Sequence, residues 1–170
     1  EETVLMAGTT PVELTQKFTR LFRAFVRISG SAETNVGDIT AHIRGSALAS
    51  DVGIFIESDG GQTQQCIYTV AAGKTAYFIK GYVGLRNATF PAGQDGTFRW
   101  LLRVNAFGPG GAWLVQGEMG LINIGNSHWQ YEYGVPAGPI PTMTDIRIEL
   151  TSASDTMDTV GGFDLILVDH

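Results

Sequence analysis

Three alternating aromatic residues are the side chains in this sequence best suited to recognition chemistry. Trp129, Tyr131 and Tyr133 occupy every second position, and in a strand such positions share one face. A row of aromatic rings can stack against a sugar ring, with neighbouring polar groups donating hydrogen bonds. The same rings would equally fill a protein core or a subunit interface. Trp113, at the base of a glycine-rich segment, has the same two interpretations.

Carboxylates near the end of the sequence are a second chemical candidate: Asp145, Glu149, Asp155, Asp158, Asp164 and Asp169. Calcium needs oxygen ligands close together around a tight turn, but Asp155 and Asp158 lack the EF-hand spacing. Glycoside hydrolysis needs two carboxyl groups that face one cleft. Asp145 and Glu149 are instead predicted to point outward from a strand, as solvated or interface charges.

The histidines and the cysteine lack the spacing of a reactive or metal-binding site. His42, His128 and His170 lie far apart, without the HxH or HExxH spacing of zinc sites. Cys66 is the single cysteine, so it has no internal disulfide partner, and we predict a buried, unreactive thiol. The sequence therefore predicts no catalytic residues, no metal and no cofactor. We expect a protein that is not an enzyme.

The composition limits the classes of partner that the protein is expected to bind. The chain has 170 residues, enough for one domain with a sizeable core. Charged residues make up 16%, below the usual quarter or so, and the net charge is −6. An acidic balance argues against nucleic-acid binding and against electrostatic adhesion to anionic membranes. No apolar run reaches the roughly 18 residues of a transmembrane helix, so neither nucleic acid nor membrane is an expected partner.

Strand periodicity dominates the rest of the sequence. Charged and aliphatic residues alternate over 145–150, and 163–168 is rich in β-formers, which predicts a final hairpin. A second hairpin is predicted from 97–106 and 112–124, across a glycine-rich tip. Further strands are predicted at 18–28, 38–44, 51–57, 64–70, 75–85 and 127–133, with 64–70 pairing with 51–57 and 134–141 as an extended connector.

These elements predict the fold class. Turn signals recur every 8–12 residues or so, which is typical of an all-β antiparallel sandwich or jelly roll. We expect a single jelly-roll-like β-sandwich domain over 18–170, preceded by an N-terminal arm or edge segment over 1–17. The arm carries apolar residues without periodicity, and we predict that it contacts a neighbouring molecule. Its candidate contact residues are Val4, Leu5, Met6, Val12 and Leu14.

Two segments carry a resemblance to a known group of proteins. Residues 67–77, IYTVAAGKTAY, resemble a YTVPAGKTAY segment that recurs in structural proteins of tailed bacteriophages, with Ala71 in place of the usual proline. The closing segments DIR, 145–147, and GGFDLILVD, 161–169, are similar to the C-terminal pattern of the same proteins. Residues 1–60 are not matched.

The resemblance implies a virion component, most specifically a head decoration (cement) protein with a jelly-roll-like fold. Such a protein sits on the capsid surface, binds the major capsid protein and often forms a homotrimer. The resemblance brings no catalytic motif. A second hypothesis is a carbohydrate- or receptor-binding module of a tail or head fibre, which would use the face of Trp129, Tyr131 and Tyr133 to hold a glycan.

Overall fold

The structure is a computed structural model, and the residues that it describes form nine strands. It describes residues 2–18, 21, 23–29, 31, 33–42, 52–86, 94–104, 111–123, 126–153 and 158–169. The strands are β1 Ile39–His42, β2 Val52–Ile56, β3 Ile67–Thr69, β4 Lys74–Arg86, β5 Gln94–Arg103, β6 Leu114–Asn123, β7 Asn126–Ile140, β8 Asp145–Ala153 and β9 Asp158–Asp169. The described residues contain no helix, so none that could span a membrane. The prediction of an all-β protein is confirmed.

The chain divides into two compact units, 1–64 and 65–170. The first unit contains the antiparallel β1–β2 hairpin. Asn35 ties the hairpin to its flanking turns: its amide donates to the carbonyl oxygens of Gly37 and Glu57, and its side-chain oxygen accepts from the Gly61 amide. The residues predicted to form an arm, 1–17, belong to this unit.

The second unit is an antiparallel β-sandwich. One sheet has the strand order β3-β8-β5-β6 and the other β7-β4-β9. The predicted hairpin of β5 and β6 is confirmed. Phe78 of β4 and Trp100 of β5 meet across the two sheets, with their ring centroids 4.4 Å apart. Aromatic side chains from both layers therefore pack in the interior of the sandwich. The jelly-roll winding stays a prediction.

The core of the sandwich consists of two clusters of buried side chains. The first is centred on Phe78 and contains Val70, Ala76, Phe78, Ile140 and Ile146. The second contains Val83, Leu85 and Phe98. The inner face of β4 carries members of both clusters. Ala76 and Phe78 share that face by simple alternation. The register shift between Phe78 and Lys80 changes the alternation, so that Val83 and Leu85 face inward as well. β4 thus runs through the centre of its sheet and spans the whole core.

The final hairpin is a wrong prediction, although both of its strands exist. β8 pairs with β3 on one side and β5 on the other, while β9 pairs with β4 in the opposite sheet. Both edges of β8 are therefore occupied, and β9 has to cross to the other layer. The predicted pairing of 64–70 with the strand at 51–57 is also wrong, because β3 pairs with β8.

Two further predictions need correction. The described residues within 18–28 form no strand; Phe25 makes an isolated bridge to Gln62. A strand that is apolar on both faces needs cover on both sides, yet Phe25 and Ile28 remain exposed. The predicted connector 134–141 is mostly strand, because β7 continues through register irregularities to Ile140.

The segment that carries the phage-protein resemblance folds as β3, a tight turn and the start of β4. Gly73 has a φ of 76°, a conformation that glycine adopts at low cost, and the Lys74 amide donates to the Ala71 carbonyl. The Lys74 ammonium pairs with the Asp169 carboxylate. Gly73 thus forms the turn that connects β3 to β4.

Candidate interaction surfaces

The N-terminal segment is a closed loop whose ends are joined by Glu2. One carboxylate oxygen of Glu2 accepts hydrogen bonds from the backbone amide and the hydroxyl of Thr15, at 2.7 and 2.8 Å. The other oxygen accepts from the Gln16 amide at 2.9 Å. At the opposite end of the loop the Thr10 amide donates to the Ala7 carbonyl, and Gly8 has a φ of 66°. The loop is thus fixed at its base and at its tip.

The apolar residues predicted as contacts lie on this loop. Leu5 is 91% exposed, and Met6, Val12 and Leu14 are also exposed, whereas Val4 is half-buried. The stretch 3–12 contains no charged residue. The loop therefore presents an uncharged, apolar surface that its own chain leaves accessible to solvent. Exposed apolar side chains mark contact sites where they form a contiguous patch, and this loop carries four of them within 5–14.

Closure of this loop should depend on pH. Hydrogen bonds from the backbone amides of Thr15 and then Gln16 hold the pKa of the Glu2 carboxyl below its ordinary value. A lowered pKa means that closure is complete above the ordinary value and is lost as the pH falls through the lowered one. We expect the protection of the Thr15 and Gln16 amides, which is the slowing of their exchange relative to that of an unfolded chain at the same pH, to fall over that range.

The Glu2→Gln variant should show the same loss of protection at neutral pH. Glu132→Gln, which removes one negative charge from an exposed site in β7, is the matched control and should leave both amides protected. Equal protection of Thr15 and Gln16 in Glu2→Gln and in the unaltered protein would contradict the role of the carboxylate.

The aromatic row of β7 has one shared face, as predicted. Trp129 and Tyr131 are stacked, with ring centroids 5.7 Å apart and planes within 8°, and Tyr131 meets Tyr133 edge-on at 4.5 Å. Trp129 packs against the core cluster of Val83 and Tyr133 against that of Phe78. Burial, and then the neighbouring Tyr131, raise the pKa of Tyr133. Tyr131 itself is 47% exposed, so one ring of the row is accessible.

Trp113 lies against two arginines. The guanidinium carbons of Arg103 and Arg147 are 4.7 and 4.1 Å from the centroid of its ring. Cation–π contacts of this kind hold an indole in place when the charges are partly desolvated. Arg147 also pairs with Glu149, its neighbour along β8. The sequence could not identify these partners, because β5, β8 and residue 113 are brought together only by the sheet.

Asp145 is buried, which corrects the prediction that it points to solvent. Its side chain is 1% exposed. One carboxylate oxygen accepts from the Thr69 hydroxyl at 2.7 Å. The other accepts from Nε and Nη2 of Arg103, at 2.8 and 2.6 Å. Asp145 therefore joins β8 to strands on both sides, β3 and β5, through a charged pair.

Cys66 lines a groove of about 400 Å³ in the second unit. The groove lies between residues 65–68, before and within β3, and residues 161–167 of β9, with Tyr82 of β4 also in its wall. Burial raises the pKa of the Cys66 thiol to about 11. The groove thus holds a neutral thiol, as the prediction of an unreactive cysteine requires.

Cys66 should react slowly with alkylating reagents. A rise of the thiol pKa from 9.0 to about 11 lowers the thiolate fraction at pH 8 about 100-fold, and the thiolate is the nucleophile. We expect iodoacetamide to modify folded protein about 100-fold more slowly than protein unfolded in urea at the same pH. Mass spectrometry measures both rates, and similar rates would show that the thiol is not protected by burial.

The described residues contain no group of three or more His, Cys, Asp or Glu side chains that could hold a metal ion. Asp155 and His170 lie outside the described residues. No protein-family model matches the chain, and comparison with curated proteins and with solved structures gives no match. The surfaces themselves, and above all the closed apolar loop, are therefore the basis for a functional proposal.

Proposed function

We propose that this chain is a structural protein of a tailed-bacteriophage virion, a capsid decoration (cement) protein that stabilises the head shell by bridging capsid subunits. The observation that carries the proposal is the closed loop, which presents Leu5 and Met6 to solvent. The resemblance of residues 67–77 to phage structural proteins supports the same assignment. The proposed partner is the major capsid protein, and the proposed location is the capsid surface.

The mechanism of such a protein is surface contact. Glu2 fixes the loop before it meets a partner, so little conformational entropy remains to be lost on binding. Binding to the assembled shell alone, and not to free subunits, adds its free energy to the stability of the shell. A homotrimer at a three-fold position would engage several subunits together, and avidity would replace tight single contacts.

Symmetric reconstruction of purified phage particles tests this proposal. Density for the sandwich at three-fold or quasi-three-fold points of the head, repeated over the whole shell, is the expected result. Particles with the chain removed should lose DNA at a lower temperature than complete particles. A small number of copies on a tail or fibre would contradict the cement role.

The loop can be tested in the same system. A variant that lacks residues 1–15 is expected to bind depleted heads more weakly, because it has lost the exposed apolar residues. Val135→Asp is a suitable control, since Val135 is 80% exposed on β7 and the substitution adds a charge without changing the loop. If the deletion variant binds depleted heads with unchanged affinity, the loop does not contribute to binding.

A second candidate function is glycan recognition on a fibre, and the exposure of Tyr131 is the observation that favours it. Tyr131 can be replaced without cutting into the core, unlike Trp129 and Tyr133, which pack against it. If the chain recognises host glycans, Tyr131→Ala should abolish binding on a glycan array while the thermal unfolding temperature stays nearly unchanged. If the row serves packing, the array shows no binding by either protein.

A further inference from the structure

The sandwich is open along one side, between β3 and β9. β9 pairs with β4 and with no other described strand, so one of its edges is the edge of the sheet. Leu167 lies opposite the fully buried Ala76 and so faces the interior, yet it is 39% exposed. Its neighbours Ile166 and Val168, on the other face, are exposed as well. An inward-facing leucine that remains exposed marks the gap that forms the groove.

The chemistry of the groove favours a polypeptide as its occupant. The side chains that line it are all uncharged, and most are apolar; Asp164, between Phe163 and Leu165, is not among them. A strand at a sheet edge also offers backbone N–H and C=O groups to a further strand or loop. A lipid chain could fill the apolar volume but could not hydrogen-bond to such an edge. An uncharged, apolar peptide segment satisfies both requirements.

The chain itself carries a segment with these properties. Residues 3–7 of the loop are uncharged, and Leu5 and Met6 project from it into solvent. Two copies of a protein with a net charge of −6 repel each other, so contact between copies requires patches without charge. The loop and the groove are two such patches. We propose that the groove of one copy receives residues 3–7 of a second copy.

The contact joins two different surfaces, loop to groove, and is therefore heterologous. Each copy donates one loop and receives another, which generates a closed ring where the rotation between copies permits it. Leu5 enters the groove beside Leu167, and the loop backbone meets the free edge of β9. The contact uses the loop that the proposed function places against the capsid, so one loop makes one of the two contacts at a time. It is tested separately, because it concerns copies of the same chain in solution.

Photo-crosslinking of the full chain tests the contact. Leu5 is replaced by p-benzoylphenylalanine, and equal amounts of ¹⁴N- and ¹⁵N-labelled protein are mixed, irradiated and digested. The expected products join position 5 to peptides that contain 65–68 or 161–167, with mixed isotope labels that identify crosslinks between copies. The same reagent at position 135, a site 80% exposed on β7, should give no crosslinks to these peptides.

Sedimentation of variants provides the second measurement. Leu5→Asp and Leu167→Asp each place a charge in the contact and should weaken self-association at least about tenfold, while Val135→Asp should not. Leu5 and Leu167 are both exposed, so these variants are expected to fold. A protein that stays monomeric up to about 1 mM would overturn the proposal, as would crosslinks confined to single copies or to other peptides. Either failure would leave the particle experiment above unaffected.

Discussion

Replacing Asp145 with alanine is expected to lower the free energy of unfolding by about 3–5 kcal/mol. The carboxylate is buried and accepts hydrogen bonds from Arg103 and from the Thr69 hydroxyl. Alanine would leave the guanidinium of Arg103, which is only 26% exposed, without its counter-charge, and would leave the hydroxyl without its acceptor. Removing one partner of a buried pair is costly because the remaining charge stays desolvated.

The matched control is the exposed pair of the same sheet, Arg99 and Glu118. Their side chains are 42% and 48% exposed, and pairs of this kind contribute about 0–1 kcal/mol. Urea unfolding of Asp145→Ala and Glu118→Ala, followed by tryptophan fluorescence, compares the two. If both variants lose the same small amount of stability, the buried pair does not hold β3, β8 and β5 together.

The difference between these two ion pairs shows which features could not be predicted from the sequence. Alternation identified β8 as a strand, but it places Asp145 and Glu149 on one face and gives no sign that one is buried. Burial of Asp145 is decided by Arg103, 42 residues earlier along the chain, and by the neighbouring strand β3. Strand pairing depends on the tertiary structure. A period-2 pattern shows which face of the sheet a residue occupies, but it does not show which strands lie next to each other. The same limit explains the wrong final hairpin.

In the candidate surfaces, too, local features were predictable from the sequence and tertiary contacts were not. The aromatic alternation predicted a common face for Trp129, Tyr131 and Tyr133, and this is confirmed because it depends on local geometry alone. Which of the rings is accessible depends on the core clusters of the sandwich, which no local pattern reveals. Closure of the N-terminal loop was also not predictable, because it depends on one carboxylate meeting two amides that lie 13 and 14 residues away.

Replacing Phe78 with alanine is expected to cost about 3–5 kcal/mol, the range for a large aromatic residue in a core. The ring is 4% exposed and contacts three others, with centroid distances of 4.4 Å to Trp100, 5.7 Å to Tyr133 and 6.0 Å to Phe163. Trp100 belongs to the opposite sheet, so the substitution removes contacts within one layer and between the two layers together.

The size of that loss distinguishes a core that couples the sheets from one that does not. Val135→Ala, at a site 80% exposed on β7, removes apolar atoms already in water and should change the stability by about 0.5 kcal/mol or less. Because a domain is stabilised by about 5–15 kcal/mol in total, Phe78→Ala should remain folded but unfold at a clearly lower urea concentration. A loss no larger than that of the control would mean that the two layers are held together by the edges of the sandwich and not by the ring of Phe78.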